Sequence, residues 1–110
     1  MPADEPQDER AELRAIWEEH RAATFARVAA LERAANLAAE GKLEAADRET
    51  ARREAHTLAG AVAFFGYLNA SRMAADLERI FQERVMSDPE RLRDLVTKLR
   101  GALNGLPYTL

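Results

Sequence analysis

From Glu9 to Ala38 a mostly apolar set returns at three- and four-residue steps: Leu13, Ile16, Trp17, His20, Thr24, Val28, Leu31, Ala35 and Ala38. That spacing keeps the set on one stripe of an α-helix. Phe25 falls off the stripe, so the segment reads either as one long helix or as two meeting near Ala22–Thr24, with Phe25 leaning toward a break. Gly41 stands where helices commonly end on a glycine. A second helix is predicted from about Leu43 to Phe65, with its seam at Ala51, Ala55, Leu58, Val62 and Phe65, and Gly66 stops it. A third, roughly Asn69 to Arg84, gathers Ala70, Met73, Ala74, Leu77, Ile80 and Phe81 on one side. Ser87-Asp88-Pro89-Glu90 then supplies an N-cap, a proline at the first helical position and an acidic first turn. The fourth helix shows Leu92, Leu95, Val96, Leu99 and Leu103, and Gly101, Gly105 and Pro107 mark its fraying end.

Four amphipathic helices on short loops predict an all-α, antiparallel four-helix bundle. A break at Phe25 would add a short extra N-terminal helix. The bundle is expected to occupy residues 9–106, after a disordered arm over residues 1–8 and before a loose tail at 107–110. The 110 residues suffice for one compact domain. Alanine dominates the hydrophobic set, and alanine loses no side-chain entropy in a helix.

Charge and composition narrow the classes of partner. A net charge of −3 and a pI near 5.4, with no basic stripe interleaved with aromatics, argue against nucleic acid. Cysteine is absent, which removes disulfides, thiol nucleophiles and cysteine-ligated zinc. The acidic start MPADEPQDER lacks the pattern of a secretory signal. The apolar run Leu58 to Leu68 is far short of the ~20 residues of a membrane span. The expectation is a soluble, cytoplasmic monomer without a cofactor or a metal. A di-metal carboxylate bundle needs Glu-x-x-His on two helices, but the residues three before His20 and His56 are Trp17 and Arg53. Ser71, Ser87 and the threonines have no histidine–acid pairing nearby to make a nucleophile.

His56 is the residue whose setting asks for chemistry. At 100° per residue it lies about 140° from the centre of the second helix's apolar seam, so it should face outward. Arg52, Arg53, Ala59, Gly60 and Ala63 share that face. A solvent-facing turn usually carries charged side chains, yet the turn after His56 is bare. Gly60 inside a helix costs roughly 1 kcal/mol relative to alanine. Its presence suggests either a smooth patch on which another protein seats or tight packing of a neighbouring helix. His20, on the first stripe, reads as a half-buried histidine. Trp17, Phe64, Phe65 and Tyr67 read as core or core edge, although Phe64 leaves the seam and could join a docking surface around His56.

Ala55-His56-Thr57-Leu58-Ala59-Gly60-Ala61-Val62-Ala63-Phe64-Phe65-Gly66 resembles the signature of histidine phosphotransfer (HPt) domains. That signature has a histidine, a leucine two residues on, a glycine four on, then a small residue and a closing glycine. Leu68 to Glu78 resembles the family's next helix, which often ends in a Leu-Glu pair. The resemblance covers about residues 52–81. It implies that His56 accepts a phosphoryl group from a receiver's aspartyl phosphate and hands it to another receiver's aspartate. The chain would then be a phosphocarrier and not an enzyme. Its partners would be receiver domains of response regulators or hybrid sensor kinases, which supply Mg²⁺ and a lysine. A neutral imidazole nitrogen suits that role.

The resemblance has departures. Ala59 stands where many members have a lysine or another polar group, and Ala61 where serine is common. Charge compensation is then left to Arg52 and Arg53, one turn before His56. Either arginine could reach phosphoryl oxygens, or each could be merely solvated, with Arg53 paired to Glu49 at a few tenths of a kcal/mol. The alternative function is an adaptor that binds a receiver or kinase without phosphotransfer. A structural bundle that dimerises through its stripes is a third reading.

Overall fold

The structure, a computed structural model, describes residues 5–83 and 87–105. Four helices follow in chain order: α1 (Glu5–Ala39), α2 (Ala45–Phe64), α3 (Leu68–Phe81) and α4 (Pro89–Ala102). Each packs on its two neighbours in the ring α1–α2–α3–α4–α1, and the α2–α3 contact is the most extensive. Short connections make these neighbours antiparallel. The expected all-α bundle is the observed fold.

The first segment is one unbroken helix, the first of the two readings its spacing left open, and the break toward which Phe25 leaned does not occur. Phe25 leaves the stripe for a different reason. It is half-buried on the flank of α1 between two guanidiniums, with Arg21 5.6 Å and Arg100 5.4 Å from its ring centroid. Cation–π contacts of this kind shelter an aromatic ring without bending its helix. Arg100 also grips Glu32 through two hydrogen bonds of 2.7 and 2.8 Å, tying α4 to α1. The hydrogen bond from Arg100 holds the Glu32 carboxyl below its ordinary value of 4.5. Thr24 is buried on the stripe, and its hydroxyl donates to the His20 carbonyl one turn back at 3.0 Å.

The helix start also differs from the expected boundary. α1 begins at Glu5, so residues 5–8 of the anticipated arm are helical, while residues 1–4 lie outside the described residues. The anticipated tail 107–110 lies outside them too, as does Arg84 at the predicted end of the third helix.

Two glycines end helices by the same device. Gly41 has φ 70° and Gly66 has φ 90°. In each case the next residue's N–H reaches five residues back, Lys42 to the Leu37 carbonyl at 2.8 Å and Tyr67 to the Val62 carbonyl at 2.9 Å. This is the Schellman termination, which satisfies carbonyls that the helix end leaves free. At the other kind of terminus, Asp88 caps α4 by accepting the Arg91 N–H at 3.1 Å, with Pro89 opening the helix.

The core is Leu31, Leu58, Leu77, Phe81, Leu92 and Leu99, all fully buried, filled in with Val28, Val62 and Val96. Each large side chain removed from water stabilises the fold by about 1.5–3 kcal/mol. At the Gly66 end Trp17 stacks at a tilt on Phe65 (5.1 Å) and on Tyr67 (5.0 Å). The Tyr67 hydroxyl donates to the Gly105 carbonyl at 2.6 Å. This cluster clamps the α2–α3 turn between α1 and the end of α4, and so fixes where the exposed face of α2 points.

Gly66→Ala places a Cβ in a left-handed backbone conformation and should destabilise the bundle by about 1–2 kcal/mol. Urea unfolding followed by far-ultraviolet circular dichroism measures this.

Candidate functional site

The seam of α2 is buried as its spacing requires: Ala51, Ala55, Leu58 and Val62 face inward. Helical rotation therefore turns His56 out, and its side chain is 71% exposed. The ring is nonetheless held. Nδ1 lies 3.1 Å from both carboxylate oxygens of Glu78, which α3 brings alongside from 22 residues away. An ionised carboxylate only accepts, so Nδ1 carries the proton and donates. In the neutral ring Nε2 then keeps its lone pair, and it has no hydrogen-bond partner among the described residues. A histidine fixed as one tautomer by a carboxylate on its far nitrogen is oriented as well as exposed.

Glu78 serves a second residue. Its Oε2 lies 3.5 Å from an Arg52 guanidinium nitrogen, and Arg52 is anchored more firmly to Glu49 by contacts of 2.7 and 2.9 Å. Arg53 reaches Glu49 as well, at 3.3 Å, the expected i,i+4 pair. Hydrogen bonds from Arg52 above all hold the Glu49 carboxyl down at about 2. The two arginines are not equivalent. Arg52 is 27% exposed and belongs to the chain Glu49–Arg52–Glu78–His56, whereas Arg53 is 75% exposed and touches only the outer end of it.

The bare turn after His56 divides between the two flanks of α2. Ala59 is half-buried toward α3, and its carbonyl accepts the Ser71 hydroxyl at 2.8 Å. Gly60 and Ala63 are exposed. A Cβ built on Gly60 meets no heavy atom within 4 Å, so close packing of a neighbouring helix does not account for this glycine. Phe64 is 67% exposed, edge-on to Phe65 at 5.2 Å. It borders a shallow groove of about 290 Å³ between α1 and α2, together with Ile16, His20, Thr57 and Ala61. Reading Phe64 as a departure from the seam is correct, whereas Trp17, Phe65 and Tyr67 are core. His20 is exposed at the mouth of this groove, not half-buried as its stripe suggests. The stripe's edge has rotated past α2 at that turn, as the 39% exposure of Ile16 one turn earlier also shows.

The residue missing from the sequence reading is Glu78. Its only sequence signal is its place in the Leu77-Glu78 pair, since spacing along one helix says nothing about a partner on another. Among the described residues, no group of three or more His, Asp or Glu side chains is placed to hold a metal ion. Among the same residues, no helix is long and apolar enough to cross a membrane.

Two substitutions separate the roles of these residues. Gly60→Ala adds a methyl group into open space within a helix and should stabilise the bundle by up to about 1 kcal/mol, read as a rise in the urea midpoint. Glu78→Ala should release Nδ1, so that the imidazole ¹⁵N shifts of His56 move from those of one tautomer to those of a mixture while those of His20 stay in place.

No curated protein and no solved structure matches the chain. The family model described as "Hpt domain" matches residues 11–106, a span that contains the four-helix ring from the second turn of α1 and the exposed histidine with its carboxylate. The chain therefore belongs to the Hpt domain family, the helical phosphocarriers that pass phosphoryl groups through histidine in phosphorelays.

Proposed function

We propose that His56 is the phosphorylated residue of this domain, taking a phosphoryl group from the aspartyl phosphate of one receiver and passing it to the aspartate of another. The observation that carries this reading is the exposed ring itself, with Nδ1 bound to Glu78 and Nε2 open to an incoming protein. The Nε2 lone pair forms a bond to phosphorus as the bond from phosphorus to the aspartyl oxygen breaks. That bond's electron pair returns to the aspartate. The proton stays on Nδ1, where the Glu78 carboxylate offsets the charge that develops on the ring. The return step is the same reaction reversed.

Such a transfer depends on in-line placement and charge compensation more than on covalent chemistry by the carrier. A carrier of this kind needs a nucleophile that protrudes and a surface that lets an acidic pocket close over it. Gly60 and Ala63, with no side chain beyond a methyl group, leave the backbone of α2 as that surface, and Ala59 continues it toward α3. Phe64 offers an apolar contact at one border. Arg52, paired with Glu49 and Glu78, stands at the other. The Mg²⁺ of the reaction belongs to the receiver's acidic pocket, and localisation in the cytoplasm, where receivers work, goes with this reading.

Incubation with a ³²P-labelled receiver should transfer label that is stable in base and labile in acid. His56→Gln should reduce that label to background although His20 remains. Failure of every receiver encoded alongside this protein to label it, with binding that survives His56→Ala, would replace the carrier by an adaptor of the same fold.

A further inference from the structure

The chain of contacts Glu49–Arg52–Glu78–His56 describes one charge state, that of the unmodified imidazole. Two carboxylates and two guanidiniums balance around the ring. A phosphoryl group on Nε2 adds roughly two negative charges beside Glu78, whose carboxylate is already committed to Nδ1. The position three residues after His56 is Ala59 and contributes no cation. Arg52 is the cation that already shares the Glu78 carboxylate with the ring. One of its guanidinium nitrogens shares the Oε2 atom of Glu78 with Nδ1, and at 3.5 Å that is the longest contact in the chain. Its other nitrogens stay anchored on Glu49 at 2.7 and 2.9 Å.

Resting on the phosphocarrier reading, we propose that Arg52 is a phosphoryl-responsive clamp. On phosphorylation of His56 it gives up Glu78 and takes the phosphoryl oxygens, while Glu49 holds the rest of the guanidinium and Glu78 keeps the Nδ1 proton. The exchange replaces a long contact with a charge-assisted hydrogen bond to a more highly charged acceptor, which is the stronger interaction. The planar fork of arginine makes it possible, because one edge can stay on Glu49 while the other changes partner. Arg53 does not share the role: among the described residues its exposed side chain pairs with Glu49 and not with Glu78.

The consequence is a longer-lived phosphohistidine. Loss of the phosphoryl group passes through a loose, metaphosphate-like transition state, in which the phosphoryl oxygens bear less charge than in the bound group. A cation on those oxygens therefore stabilises the phosphorylated state more than the transition state for its loss. Arg52 would protect the phosphoryl group from water between donor and acceptor and lessen the repulsion between the phosphoryl group and Glu78.

Phosphoramidate serves as the donor in the test, so that no cognate receiver is required. The Nε2 lone pair takes the phosphoryl group, the phosphorus–nitrogen bond of the donor breaks, and ammonia leaves. ³¹P spectra follow the phosphohistidine at His56, and ¹⁵N–¹H spectra follow the arginine side chains of the same ¹⁵N-labelled sample. The expected result is that the Arg52 Nε–H signal shifts on phosphorylation while that of Arg53 does not. Arg52→Ala should shorten the phosphohistidine lifetime about tenfold, Arg52→Lys should restore part of it, and Arg53→Ala should leave it within about twofold of the parent. An Arg52 signal unmoved by phosphorylation, or equal lifetimes for Arg52→Ala and Arg53→Ala, overturns the clamp while leaving His56 as a phosphocarrier. Absence of any ³¹P signal at His56 in the parent protein overturns both.

Discussion

The close contact of α2 with α3 is the constraint on which the site depends. This is the most extensive helix pair of the bundle, and the Ala59 carbonyl and the His56 ring of α2 meet Ser71 and Glu78 of α3 directly across it. Glu78 on α3 can then span the remaining distance to an imidazole on the outer face of α2. The Ser71 hydroxyl bound to the Ala59 carbonyl holds the same pair of helices together one turn further along.

The rest of the bundle serves that contact. Gly66 reverses the chain in three residues by adopting a backbone conformation that other residues avoid. Trp17, Phe65 and Tyr67 then pin the turn to α1, and Tyr67 extends the grip to Gly105. On the opposite flank α4 is fastened to α1 by Arg100 with Glu32, while Arg27 pairs with Glu54 between α1 and α2 at 2.7 Å. These partly exposed pairs add little stability individually. Their geometric effect is to fix the rotation of each helix, and the rotation of α2 determines whether His56 meets a partner or the core.

The site itself has an economy of charge. One carboxylate meets the histidine, and behind it Arg52 and Arg53 are each matched by a carboxylate. Such a surface has no strong local potential of its own, so a phosphoryl group arriving there changes the balance more than it would beside an isolated lysine. This is the physical ground for reading Arg52 as a group that changes partner instead of one that waits unpaired.

Sequence alone determined the number of helices, their inner faces and the outward direction of His56, because each of these follows from residue spacing along a single helix. It also determined the ends at Gly41 and Gly66 and the Asp88 cap, since terminal signals are local. Tertiary structure alone decided three matters that involve a second helix. Phe25 lies off the stripe because Arg100 of α4 covers it, and no break in α1 is needed. His20 is exposed because it lines the open groove between α1 and α2, while Trp17 of the same turn packs on Phe65. Glu78 belongs to the site because α3 returns beside α2 in the appropriate register. Periodicity reports where a side chain leaves its own helix. What it meets there depends on contacts between residues far apart in the chain, and local spacing does not encode these.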